Sequence, residues 1–271
     1  MSAISDYKSG PIDLFNTSTG TGLNSIPDYS LDAIVGVKFN TTDGRQVTLV
    51  RNAATAIASG KLVQGVAEVT AFEKLAMTVP TAYPATAGTF TVLVTNGATV
   101  LNINQFQGGY FVVASGAGIG QTLKIASHQP AANAATFVVT LEDAIQVTLD
   151  ATSVVSLVAN PYISVKITDH TTLSAPIGAS LYPIAASTAP TYNGTTGALV
   201  TAGTPVYGYI VTHGPTGILV DNTVTNVGYP VGRSAATDGA VGVASLTTAA
   251  AVGTSMQTLT SAQVGPIYLN L

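Results

Sequence analysis

Three stretches decide the fold: Thr136-Phe137-Val138-Val139-Thr140-Leu141, Ile145-Gln146-Val147-Thr148-Leu149-Asp150 and Ile163-Ser164-Val165-Lys166-Ile167-Thr168. In each, apolar residues alternate with polar or smaller ones. Successive side chains of a strand point to opposite faces, so a period of two predicts strands with one face buried and one exposed. Antiparallel sheets that pack on one side show this pattern, whereas strands of parallel α/β sheets read as continuous apolar runs.

Working outward, the same grammar continues. Ile34 to Phe39 and Val47 to Val50 flank Thr41-Thr42-Asp43-Gly44, and an Asp-Gly pair between apolar runs predicts a hairpin. Val206 to Val211 and Ile218 to Val220 flank His213-Gly214-Pro215-Thr216-Gly217, whose breakers predict a turn. Val264 to Leu271 predicts a C-terminal strand. One short helix is expected over Val69 to Met77, where Phe72, Leu75 and Ala76 have helical spacing before Pro80 ends it. No fixed-period repeat stands out that would make a solenoid or propeller. The expected fold is all-β, with antiparallel sandwich or small barrel domains and an extended N-terminal arm.

Residues 1–35 form the expected arm, with isolated apolar anchors Ile4, Tyr7, Ile12, Leu14, Phe15 and Leu23 in a Ser, Thr, Gly and Asn background. Such a segment cannot bury enough surface to fold alone. It is read either as an arm laid along a neighbouring subunit or as a loosely held terminus. Ile4, Tyr7, Ile12, Leu14 and Phe15 are the candidate interface residues. The rest divides into a β domain at 36–170 and another at 171–271, or into one domain closed by the first and last strands around a middle insertion.

Composition narrows the function. Only 8% of the 271 residues are charged, against ~25% in ordinary soluble proteins, so much of the surface is expected to meet other protein. Nine basic residues, scattered singly, against thirteen acidic ones give no phosphate-neutralising patch, which argues against nucleic acid. No run of ~18 apolar residues suggests a membrane span, and the N-terminus lacks the pattern of a secretory signal. The absence of Cys removes disulfides, thiolate catalysis and Cys-ligated metals.

Candidate chemistry is sparse. Gly116-Ala117-Gly118-Ile119-Gly120 lacks the strand, G-x-G-x-x-G spacing and helix of a nucleotide site, and reads as a hairpin loop. His128, His170 and His213 are not spaced as a metal pair. Asp169 and His170 are neighbours, which on a strand would place them on opposite faces. Glu68, Glu73 and Glu142 are the only glutamates, and no acid pair is visible in sequence. Asn16, Asn40 and Asn193 stand in glycosylation-acceptor triplets, read as chance matches without a signal segment. No enzyme activity, cofactor or metal is expected.

A resemblance adds to this. Gly108-Gly109-Tyr110-Phe111-Val112-Val113, Gly120-Gln121-Thr122-Leu123-Lys124-Ile125-Ala126-Ser127-His128, Thr140-Leu141-Glu142-Asp143 and Leu157-Val158-Ala159-Asn160-Pro161-Tyr162 resemble head decoration (cement) proteins of tailed bacteriophages. So does Gly208-Tyr209-Ile210-Val211-Thr212-His213-Gly214-Pro215, with Leu219-Val220-Asp221 after it; the resemblance spans residues 90–271. It implies a β-rich virion protein, assembled in the host cytoplasm, on the outer capsid surface. There it would bind the major capsid protein, often as a homotrimer at junctions between capsomers. It supplies no catalytic residues. Two rivals from other classes are a fibre or receptor-binding protein for a host glycan, and a virion-associated glycan hydrolase using Asp and Glu.

Overall fold

A computed structural model describes residues 32, 34–66, 72, 77–171, 175–224, 226–244 and 251–271. The arm residues Ile4, Tyr7, Ile12, Leu14 and Phe15 lie outside this set, as does most of the expected helix; at its end Met77–Thr78 is a strand. The protein is all-β. Among the described residues no helix is long and apolar enough to cross a membrane.

The middle of the chain closes into a six-stranded barrel of β4 (Met77–Thr78), β5 (Thr91–Thr95), β6 (Tyr110–Ser115), β7 (Thr122–His128), β8 (Thr136–Leu141) and β9 (Val154–Val158). Its order is β4-β5-β8-β7-β6-β9, antiparallel throughout. Alternation does the work here: Val92, Val94, Phe111, Val113, Ile125, Phe137, Val139 and Leu157 point inward and are buried, each contributing ~1.5–3 kcal/mol. The stretch Ile145 to Leu149 is not a strand. Ile145 and Leu149 are buried but Val147 is 53% exposed, because the Gln121 side chain accepts the Gln146 and Val147 amides at 2.8 and 3.0 Å and bends the chain outward.

The remaining strands build a ten-stranded sheet. Its first half, the outer unit, contains β1 (Lys38–Asn40), β2 (Gln46–Arg51), β3 (Leu62–Gln64), β10 (Lys166–Ile167), β11 (Pro176–Ser180) and β14 (Tyr207–Leu219). Its second half, the C-terminal unit, runs from β14 through β15 (Pro230–Arg233), β16 (Val241–Val243), β17 (Ala251–Ser255) and β18 (Val264–Asn270). Residue 170 lies between β10 and β11, which both pair with β3.

The turn expected at His213 to Gly217 is absent: β14 runs straight through it. The strand changes partner there, pairing β2 up to His213 and β18 from His213 onward. A register shift between Val211 and His213, with Gly214 at φ +99°, lets it twist from one half of the sheet into the other.

One arrangement occurs three times. Four strands numbered in chain order lie side by side as 1-4-3-2 in the barrel (β5-β8-β7-β6), the outer unit (β2-β14-β11-β3) and the C-terminal unit (β14-β18-β17-β15). This is a Greek key with the odd strand first. In the two halves of the sheet a further short strand follows strand 2 and bridges, in parallel, to the end of strand 1: Asn52 to Val165 and Val220 to Val241. The first strand of each unit ends in a shared tetrapeptide, Leu49-Val50-Arg51-Asn52, Leu93-Val94-Thr95-Asn96 and Leu219-Val220-Asp221-Asn222. Asn52 and Asn96 act alike: each donates Nδ2 to the carbonyl three residues on (Thr55 at 2.9 Å, Thr99 at 2.7 Å) and to a facing loop (Ala185 at 2.7 Å, Ala132 at 3.0 Å). Each also accepts the next amide on Oδ1 at 2.9 Å.

The barrel is nested inside the outer unit, entered from Gly65 and left at Pro161. These two positions touch: a Cβ on Gly65 would lie 2.6 Å from the Pro161 carbonyl oxygen. A two-stranded ribbon of β12 (Thr191–Tyr192) and β13 (Leu199–Thr201) reaches from the outer unit to the barrel. At its tip Gly197 accepts the Ile103 amide at 3.0 Å, and a Cβ there would overlap the Leu101 carbonyl.

Candidate functional site

The C-terminal unit presents the most distinctive surface. Strand alternation turns Ile218, Val231, Val252, Ile267 and Leu269 into its core. The opposite face is then composed of what lies between. Register places Pro215, Tyr268, Thr254 and Pro230 in one row across β14, β18, β17 and β15. Beside it Gly217 faces Pro266, whose carbonyl accepts the Met256 amide at 3.1 Å, and Leu219 faces Val264. None of these residues is charged. Val264, Met256 and Tyr268 are 59%, 45% and 40% exposed. Tyr268 is steadied by His213, whose ring meets it edge-on at 5.4 Å with Nε2 3.2 Å from the Tyr268 hydroxyl.

From His213 to Leu271 the sequence has only Asp221, Arg233 and Asp238 as charged residues, and all three are engaged elsewhere. Asp221 accepts the hydroxyls of Ser234 and Thr237, Arg233 donates to the Asp169 carbonyl, and Asp238 meets His170. Another protein can therefore cover this sheet face without stripping water from an ion, the costliest part of burying a charged surface.

Titratable groups inside the fold hold structure. Asp32 is buried against Arg51 and accepts the Tyr207 hydroxyl at 2.9 Å. Burial pushes its carboxyl upward, against the opposing pull of the guanidinium and the hydroxyl. His128 sits between Phe106 and Phe137 in the barrel. Its Nε2 accepts the Phe106 amide at 3.0 Å while Nδ1 lies 2.9 Å from the Gln129 carbonyl, which assigns a neutral ring protonated on Nδ1. Burial lowers its pKa. Glu142 is exposed and ion-paired with Lys124 at 3.0 Å; Glu68 and Glu73 lie outside the described residues. Gly116 to Gly120 is the hairpin between β6 and β7, with Gly116, Gly118 and Gly120 all at positive φ.

Asp169 and His170 depart from the expectation of opposite faces. β10 ends at Ile167, so the alternation rule stops short of them, and the bend brings both toward Asp238 of the β15–β16 loop. Asp238 Oδ1 accepts the His170 backbone amide at 2.8 Å and lies 2.7 Å from the ring Nδ1. The adjacency of Asp169 and His170 was visible in sequence; the approach of Asp238 depends on tertiary pairing.

The fold and its surfaces define an all-β protein of three related Greek-key units with an uncharged sheet face. Comparison with protein-family models, with curated protein sequences and with solved structures gives no match in any of the three.

Proposed function

We propose that this chain is a structural virion protein that decorates the outer surface of a tailed-phage capsid and stabilises it by bridging neighbouring major capsid protein subunits. The uncharged face of the C-terminal unit carries this reading: a broad β surface whose exposed side chains are Tyr268, Val264, Met256 and Pro230, with Pro266 half-buried among them, is suited to contact with another protein. Repetition by capsid symmetry multiplies a modest contact energy into firm attachment. Homotrimeric assembly belongs to the same proposal, as does clamping by an N-terminal arm through Ile4, Tyr7, Ile12, Leu14 and Phe15.

The test is co-sedimentation with shells of the cognate major capsid protein. The double substitution Val264→Lys and Tyr268→Glu puts two charges on the face without touching the core. Capsid occupancy should fall at least tenfold while the unfolding midpoint stays within a degree or two. Undiminished occupancy would overturn the assignment of the face. Removal of residues 1–30 tests the arm separately, and full occupancy after it would remove the arm from the proposal.

A further inference from the structure

We infer that Asp169, His170 and Asp238 form a binding site for a first-row divalent transition metal, and that the metal clips the outer unit to the C-terminal unit. The inference is independent of the capsid reading. One ligand atom from each of the three side chains lies within 4.8 Å of the others. Asp169 and His170 follow β10 of the outer unit, and Asp238 precedes β16 of the C-terminal unit, so the donors come from both halves of the sheet.

The separation of the donors suits a common ion. Metal–nitrogen and metal–oxygen bonds of ~2.0–2.2 Å place their donors ~2.9 Å apart at a right angle and ~3.4 Å apart at the tetrahedral angle, so His170 Nδ1 and Asp238 Oδ1, 2.7 Å apart, need only part by a few tenths of an ångström to admit an ion. On metal binding the Nδ1 proton leaves to solvent and the ion takes its place between the two atoms. Asp238 Oδ1 also accepts the His170 backbone amide at 2.8 Å, which fixes this oxygen beside the ring. Asp169 Oδ1 accepts the Thr171 amide and hydroxyl at 2.7 and 2.6 Å, which fixes the orientation of the carboxylate.

Groups outside the triad hold it in place. The buried Gln64 side chain accepts the Asp169 amide at 2.9 Å. Arg233 donates to the Asp169 main-chain carbonyl and Lys61 to that of Asp238 at 3.3 Å, so these two cations brace the loops through the backbone. Outer partners of this kind pre-set ligand geometry. One imidazole and two carboxylates select Zn²⁺ or Mn²⁺ over Ca²⁺ and Mg²⁺, which favour oxygen-only sites. Water completes the coordination, the site being partly exposed.

The experiment is calorimetric titration of the untagged, chelator-treated full chain with ZnCl₂ and MnCl₂, with CaCl₂ as control, paired with thermal unfolding at rising metal concentration. One saturable transition-metal site per chain is expected, with an unfolding midpoint that climbs with metal. Asp238→Asn keeps an acceptor for the His170 amide and should lower affinity by about tenfold or more. His170→Gln, on the other loop, should do the same, so a folding defect in either variant leaves the second to decide. The absence of saturable binding, or equal binding by both variants through His128, His213 or other groups, would overturn the site.

Discussion

Truncating the turn asparagines separates the three units energetically. In Asn96→Ala the barrel loses three good hydrogen bonds, to Thr99 and Ala132 through Nδ2 and from Gly97 through Oδ1, at 2.7, 3.0 and 2.9 Å. Each is worth about 1 kcal/mol net, and Asn96 is only 4% exposed, so water cannot replace them freely. The expected cost is ~3 kcal/mol, or ~6–12 °C in midpoint for a chain of this size. Asn52→Ala loses the same set at 2.9, 2.7 and 2.9 Å from a residue 1% exposed, and should cost the same. Asn222 ends the third tetrapeptide but is exposed and makes no side-chain hydrogen bond among the described residues; Asn222→Ala should stay within ~0.5 kcal/mol. Urea unfolding of the three variants decides. A cost for Asn96→Ala below 1 kcal/mol, or a cost for Asn222→Ala equal to it, would refute the account of the turn.

Three further outcomes are expected. Because the folded-state pKa of His128 lies below its unfolded value, the unfolded chain binds the extra proton first. The stabilisation from a neutral ring is full above ~6.5 and is lost as pH falls through the window below it, by ~1.4 kcal/mol per pH unit until the folded pKa is reached; His128→Gln should flatten the slope of stability against pH in that window. Tyr207→Phe removes the donor to Asp32 Oδ1 and should cost ~1–3 kcal/mol in chemical denaturation, a neutral result counting against a structural role for the buried Asp32, Arg51 and Tyr207 contact. Gly197→Val places a Cβ on the Leu101 carbonyl from a left-handed backbone, so the ribbon tip should lift. Hydrogen exchange at the Ile103 amide should then accelerate at least tenfold, and unchanged protection would mean that the ribbon does not grip the barrel.

What could be read from the residues was the local part. Thr136 to Leu141 became β8 and Val264 to Asn270 became β18 because period-two alternation is a property of the strand itself. The Asp43-Gly44 hairpin joined β1 to β2 with Gly44 at φ +83° for a similar reason. Gly214 and Pro215 misled because breakers mark bends, and a bend inside a strand that changes sheets looks the same in sequence as a turn between two strands. The Leu-Val-x-Asn signal was present in the chain, but it occurs a fourth time at Leu157 to Asn160, after β9, where no unit begins, and nesting one unit inside another destroys any fixed period. Asp238 escaped notice as a neighbour of His170 because their meeting depends on β3 pairing with β10 and β11 while β14 carries the chain into the second unit. The sheet face was hidden likewise: Pro215, Thr254, Tyr268 and Pro230 become one row only when four ladders are in register.

The contact between Gly65 and Pro161 has a mechanical consequence. A pull applied between the two ends of the chain arrives at the end of β3 and leaves through β10, and these points are side by side. The closed barrel hangs as a side branch off that line and carries almost none of the tension until the outer unit itself tears. The load falls on the ladders of β14 with β2 and β18, whose outermost residues, Gln46 and Asn270, both stand opposite His213. Under tension the shared strand β14 would thus give first, with the inserted barrel still unstressed.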